Sequence, residues 1–362
     1  MAATVKSIYD IFDSKAIAAY WEDVNPNMQD PLIGTQFFPN DKKYGLELSW
    51  IKGKNGLPVV LQPSAFDTKA SLRDRVGVSE LSTEMPFFRE GMRIGEKDRQ
   101  DLMTLLAKGE QFVEPTIRRL FDDIGQLISG AEVQAERMRM QLLSTGKISV
   151  AASKGTGRTA AYDYNFDPDS TWADDHTLTL TSTATWEEAN ADTMNPVLDI
   201  MDVKKTMREM GKNVTRALLN STTLSNMLLS TKISKAMNPV GYANMINTDE
   251  DIQRYIERKT GIQFIVYDKM FIDEEGDSVK FFPDNKVTFL PSTTVGTTWY
   301  GTTPEEYDLL SGNTNASVSI VGSGIAITSI KEPHPVNVFN LVSAIMLPSF
   351  ERMDDVFVLT TK

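Results

Sequence analysis

Two places in this sequence hold residues of the kinds that bind metals or phosphates. The first is the run Asp167, Asp169, Asp174, Asp175 and His176, whose carboxylates and imidazole are possible metal ligands. A calcium loop also needs a glycine at its sixth position and a glutamate at its twelfth, and this run has neither. It reads as a solvated acidic loop. The second is Ser153-Lys154-Gly155-Thr156-Gly157-Arg158. In a phosphate loop the lysine follows the glycines and the loop joins a strand to a helix. Here Lys154 precedes them, and a hairpin turn fits better. Asp273, Glu274, Glu275 and Asp277 surround Gly276 between two strand patterns, which is also a turn.

The remaining chemistry is thin. The chain has two histidines, His176 and His334, and no cysteine. That excludes disulfides, thiolate metal sites and cysteine nucleophiles, and it argues against a histidine-based zinc site or catalytic triad. His334 lies between two prolines and reads as part of an extended linker. Met201, Met207 and Met210 read as packing. No catalytic, cofactor-binding or metal-ligating residue is assigned, no cofactor is expected, and no feature favours an enzyme.

Composition sets the broad class. The 362 residues are 41% hydrophobic and 24% charged, ordinary values for a soluble globular protein of two or three subdomains. No apolar run is long enough to span a membrane, and the start lacks the apolar core of a secretory signal. A formal charge of −12 argues against sequence-independent DNA binding, which needs a basic surface. It suits a protein that stays soluble at high concentration.

What would position any functional surface is the stretch Pro115 to Ser144. Ile117, Leu120, Phe121, Ile124, Leu127, Ala131, Ala135, Met138 and Leu142 recur in steps of three and four, one apolar stripe along a helix. Pro115 suits the first turn and Gly146 the left-handed residue beyond the end. Such a helix is roughly 45 Å long, a spine along which something must lie. Its opposite face carries Arg118, Arg119, Asp122, Asp123, Glu132, Glu136, Arg137 and Arg139.

Around the spine the chain divides into five expected segments. Residues 1–42 form an arm: one or two helical turns from Ser14 to Trp21, then a path broken by Pro26, Pro31, Gly34 and Pro39. Its Phe37 and Phe38 belong to a segment too short for its own core, so they are expected against other structure, with another subunit as one option. Residues 43–95 form an extended two-stranded loop, with Leu46, Leu48 and Trp50 alternating on one strand and Glu80 to Ile94 as the other. A two-stranded loop is unlikely to be stable alone in water. Residues 96–185 hold the spine, a hairpin over Lys147 to Asn165 and a Thr-rich strand. Residues 186–330 alternate helices and strands, with Asn195-Pro196, Ser221 and the capping-box pair Thr248 and Asp251 as helix starts and Gly261 as a stop. Residues 331–362 are apolar strands expected to return to the spine.

That order resembles the major capsid proteins of tailed phages, specifically the lambda-type major head protein family. Asp30-Pro31-Leu32 with Phe37-Phe38 is similar to the family's N-terminal segment. Lys280-Phe281-Phe282-Pro283-Asp284-Asn285 is similar to its strand-turn. Ser343-Ala344-Ile345-Met346-Leu347-Pro348, followed by Asp354-Asp355-Val356-Phe357-Val358, is similar to its C-terminal strands. The resemblance implies an α+β, Hong Kong 97-like fold with an N-terminal arm, an extended loop, a peripheral domain with the spine helix, and an α/β axial domain. It implies a shell protein that forms hexamers and pentamers around double-stranded DNA, without sequence-specific binding and without a membrane. The expected partners are further copies of the chain and a portal protein, with a separate scaffold or none, and a decoration protein, left open. The expected location is the virion, after assembly in the host cytoplasm. The alternatives are another phage structural protein or an acidic α/β hydrolase-type enzyme.

Overall fold

The computed structural model describes residues 11–28, 32–53, 78–97, 100, 101, 104, 114–150, 162–238, 248–309, 315–334 and 336–362. The chain forms two compact units. One is drawn from Met1–Leu48, Ser82–Arg137 and Thr297–Ser349, the other from Ser49–Leu81, Met138–Gly296 and Phe350–Lys362.

The first unit is built on a six-stranded sheet. Its central strand, Val336–Ser349, is buried along nearly its whole length, which explains its almost continuous apolar sequence. Ile325–Pro333 pairs antiparallel along one edge, with Pro333 opposite Val336, and Ala316–Val321 extends the sheet beyond it. Phe87–Ile94, along residues 338–345, and then Thr297–Tyr300, along 346–349, pair antiparallel with the central strand, and Asn40–Lys42 runs parallel to Thr297–Tyr300.

The arm packs inside this unit. Its helix, Ser14–Met28, is longer than the one or two turns expected and continues through Pro26. Phe12 and Tyr20 lie 5.4 and 5.2 Å from the Phe121 ring of the spine helix. Trp21 lies over Gly125, where an added Cβ would stand 3.3 Å from its ring. Phe37 and Phe38 are fully buried in the same chain. The expectation that these aromatics need outside structure is met without a neighbouring subunit, because the sheet and spine supply the core that the short segment lacks.

The spine helix is Glu114–Thr145, ending at Gly146 with φ +69°. Its expected polar face is not uniformly polar. Glu136 is 0% exposed and Arg139 2%. Both Glu136 carboxylate oxygens accept from Gly34 N, at 2.9 and 3.1 Å, which anchors the turn Gly34–Gln36 of the arm. Periodicity missed this because it reports the side of a helix, not which polar groups find buried partners.

In the second unit a five-stranded sheet runs in the order Thr177–Thr179, Phe357–Thr360, Lys286–Leu290, Arg216–Leu219 and Gln263–Val266. Helices Pro196–Glu209, Ser221–Leu228, Thr231–Met237 and Asp249–Thr260 contribute to one apolar core with it, around Trp186, Met207, Val287 and Phe289. Local signals hold up well here. Asn195 caps the first of these helices, Thr248 Oγ1 accepts from Asp251 N at 3.3 Å, and Gly261 ends its helix at φ +67°. The second of these helices is capped by Asn220, one residue before the expected Ser221, whose side chain accepts from Thr223 N at 2.9 Å.

Several expected segment edges move. Glu80 to Ile94 is not one strand: Val78–Glu84 pairs with Glu47–Gly53, and Phe87–Ile94 joins the central sheet. Strands between 297 and 333 also belong to that sheet, across the expected edge at 330. Phe357–Thr360 joins the sheet of the second unit between Lys286–Leu290, from the expected α/β segment, and Thr177–Thr179, from the expected spine segment. His334 lies at the turn of a hairpin where a linker was expected. Each error has one cause, that strand partners are chosen by contacts far apart in sequence.

Candidate functional site

No compact reactive centre emerges. The candidate functional features are a two-stranded ribbon, the contacts that fix its base, and the apolar surface left open. The ribbon is the two-stranded sheet Glu47–Gly53 and Val78–Glu84, which pairs with no other strand among the described residues.

Its base is tightly built. Met85 N donates to Leu46 O at 2.9 Å, Lys43 N to Tyr300 O at 2.8 Å, and Gly301 N to Ile345 O at 2.8 Å. Leu48 and Met85 are buried there. Gly301 is required by close approach: a Cβ would lie 2.7 Å from Ile345 Cγ2 and 3.2 Å from Gly45 O.

Beside the base sits a wide helical turn, Glu305–Leu309, carrying two adjacent glutamates. Glu305 pairs with Arg89 and accepts from Ser343 Oγ at 3.0 Å, while Glu306 pairs with Lys42. These pairs tie the turn to strands Asn40–Lys42, Phe87–Ile94 and Val336–Ser349. Nothing in the sequence flagged them, because the two ion pairs join residues more than 200 apart and Ser343 lies 38 residues from Glu305. Tyr44 and Tyr307 are 87% and 80% exposed.

In the α/β unit the charged side chains serve the backbone. Lys286 Nζ donates to Ser144 O at 2.7 Å and Lys204 Nζ to Thr260 O at 2.6 Å, each at a helix C-terminus, where a cation is favoured. Burial holds both lysines below the ordinary lysine pKa. Arg216, also lowered by burial, donates to Pro291 O and Thr293 O. Burial raises Asp199, whose carboxylate accepts from Trp186 Nε1 at 2.9 Å. In the motif at 280–285, Phe282 is fully buried and Lys280 holds Asp284 at 2.7 Å, lowering its carboxyl pKa.

The acidic run at 167–176 is not gathered into a metal cage. Asp167 accepts from Trp172 N and Ala173 N at 3.0 and 2.9 Å, so it caps a short helix, Thr171–His176, where a loop was expected. Asp169, Asp174 and Asp175 are exposed and His176 is buried. Among the described residues no three His, Asp or Glu side chains are placed to hold a metal ion. Asp273 accepts from Glu275 N and Asp277 N, both at 2.9 Å, closing the turn at Gly276. Ser153 to Arg158 lies outside the described residues.

The open apolar surface of this unit includes the hairpin Met270–Ile272 with Ser278–Lys280. Phe271 turns inward onto Phe281, with ring centres 4.8 Å apart, whereas Met270 and Ile272 point the other way and Ile272 is 73% exposed. Leu198 and Met201, three apart on helix Pro196–Glu209, form a second exposed pair. Among the described residues no helix is long and apolar enough to cross a membrane.

Comparison with known proteins supplies the family. The model of the phage major capsid protein E family matches residues 13–361. The chain belongs to this family. It is a phage major capsid protein, and its fold is the Hong Kong 97-like capsid fold. Similar solved structures include a putative capsid protein of a prophage of E. coli CFT073, with a TM-score of 0.57 and 13% identity over 97% of this chain and 99% of that one. A phage-related protein from Bordetella bronchiseptica RB50 gives 0.50 and 12% over 94% and 95%. The cyanophage A-1(L) capsid protein gives 0.50 and 12% over 91% and 92%. No curated protein matches.

Proposed function

We propose that this capsid protein builds the closed icosahedral head of a tailed phage by packing as hexamers and pentamers around double-stranded DNA. The observation that carries the reading is the ribbon: an isolated two-stranded sheet on a rigid base, marginal in water unless it lies on other protein. In this reading the ribbon is the extended loop that reaches a neighbouring subunit. The unit with the six-stranded sheet and the larger part of the spine helix is peripheral in the capsomer, and the α/β unit is axial. The net charge of −12 suits a wall that confines DNA without gripping its phosphates. A portal protein and a scaffold complete the assembly, which takes place in the host cytoplasm.

The protein carries no catalytic activity in this reading, and its acidic groups serve as caps, turns and ion pairs. The test is expression of the full chain followed by sedimentation and negative-stain microscopy. Closed shells or capsomers are expected. A well-folded monomer at every concentration and salt would refute the proposal. A thermal shift of several degrees with a nucleotide, in the absence of assembly, would reopen an enzymatic reading.

A further inference from the structure

Helix Thr171–His176 grips the C-terminal turn Met353–Asp355 with two side chains one helical turn apart. Trp172 Nε1 donates to Met353 O at 2.8 Å, and His176 Nε2 lies 3.0 Å from the next carbonyl, Asp354 O. A carbonyl can only accept, so Nε2 carries the proton and the neutral ring leaves Nδ1 as a bare lone pair. Nδ1 is buried without a hydrogen-bond partner. The two rings stack at 6.1 Å and 10°, Phe350 meets Trp172 edge-on, and Met353 and Trp172 press on Gly146.

A second proton on this ring would create a buried cation and a buried donor with no acceptor in hydrogen-bond geometry. We propose that His176 is an acid-released latch, holding the C-terminal turn while its imidazole is neutral and loosening it when a second proton arrives.

The carboxylates around it favour the protonated ring, and burial opposes them. Asp354 and Asp355 come from the turn, the latter held by Lys212 and Arg352 at 2.7 and 2.6 Å. Asp167, Asp174 and Asp175 come from the helix and its start. Burial nevertheless lowers the His176 pKa, outweighing the opposite pull of Asp354, Asp175 and the Trp172 carbonyl. A histidine lowered on folding leaves stability intact above the unfolded value of about 6.5. Stability is then lost as pH falls below that value, until the folded ring takes up its proton.

The test compares the full chain at about pH 7.5 and about pH 5, spanning the histidine range, by hydrogen exchange with mass spectrometry and by thermal unfolding. Exchange is corrected for its intrinsic pH dependence. The wild type should lose protection over 353–360 at the lower pH and show a fall in Tm. His176→Gln keeps a donor but cannot titrate, so it should keep its protection and show a smaller fall, while His334→Gln should behave as the wild type. Equal acid loss in His176→Gln and wild type would overturn the latch. If His176→Gln fails to fold, the wild type decides alone, since unchanged protection over 353–360 between the two pH values also overturns it.

Discussion

The arm and the ribbon are both segments without a hydrophobic core of their own, and they meet that problem in opposite ways. The arm lays Phe12, Trp21, Phe37 and Phe38 into the first unit, against the spine helix and the central sheet, so its aromatics are settled within one chain. Among the described residues the ribbon is fixed at its base, by backbone bonds and close contacts around Met85 and Gly301, and its strands pair with each other alone. The difference teaches that a short apolar segment is not by itself a sign of subunit exchange. The sign is a segment that remains unpaired after the chain has buried what it can.

The contrast can be broken at several points. The largest effect is expected at Ile124, fully buried on the spine beneath the arm. Ile124→Asp places an unpaired charge in the core, should cost several kcal/mol and should unfold the first unit, as circular dichroism would record. Leu120, on the same stripe, is only half-buried and makes a weaker probe. Next comes Phe38→Ala in the arm, expected to cost about 3–5 kcal/mol in chemical denaturation. A cost near zero would mean that the arm is not part of the core.

Gly301→Ala at the ribbon base forces a Cβ against Ile345 and should cost about 1–3 kcal/mol. Thr248→Ala removes a helix cap in the other unit and should cost about 1 kcal/mol, a local reference for the size of a single lost cap. The smallest effect on folding should come from replacing Gly53 to Asp74 with a short Gly-Ser link. That variant should unfold at nearly the wild-type temperature yet form no shells under the microscope. If it unfolds like Ile124→Asp, the ribbon belongs to an intramolecular core and the contrast with the arm disappears.

Much of the local structure was legible in the sequence. The spine was expected over 115–144 and runs Glu114–Thr145, Asn195 and Thr248 cap their helices, and Gly146, Gly261 and Gly276 take the positive φ that their turns require. These features depend on hydrogen bonds and side-chain contacts within about four residues, so the residue types there suffice to specify them. Composition, with two histidines and no cysteine, also removed most reactive chemistry from consideration.

Tertiary structure decided the rest. It buried Glu136 on a face that periodicity marked as polar, because Gly34 N, more than a hundred residues away, comes to its carboxylate. It moved Phe87–Ile94 from the ribbon to the central strand and Phe357–Thr360 into the α/β sheet, because any strand offers the same backbone donors and acceptors. It also joined Arg89 to Glu305 and His176 to Asp354 O. Such partners are selected by the packing of the whole unit, and no window of neighbouring residues contains the groups that make the choice.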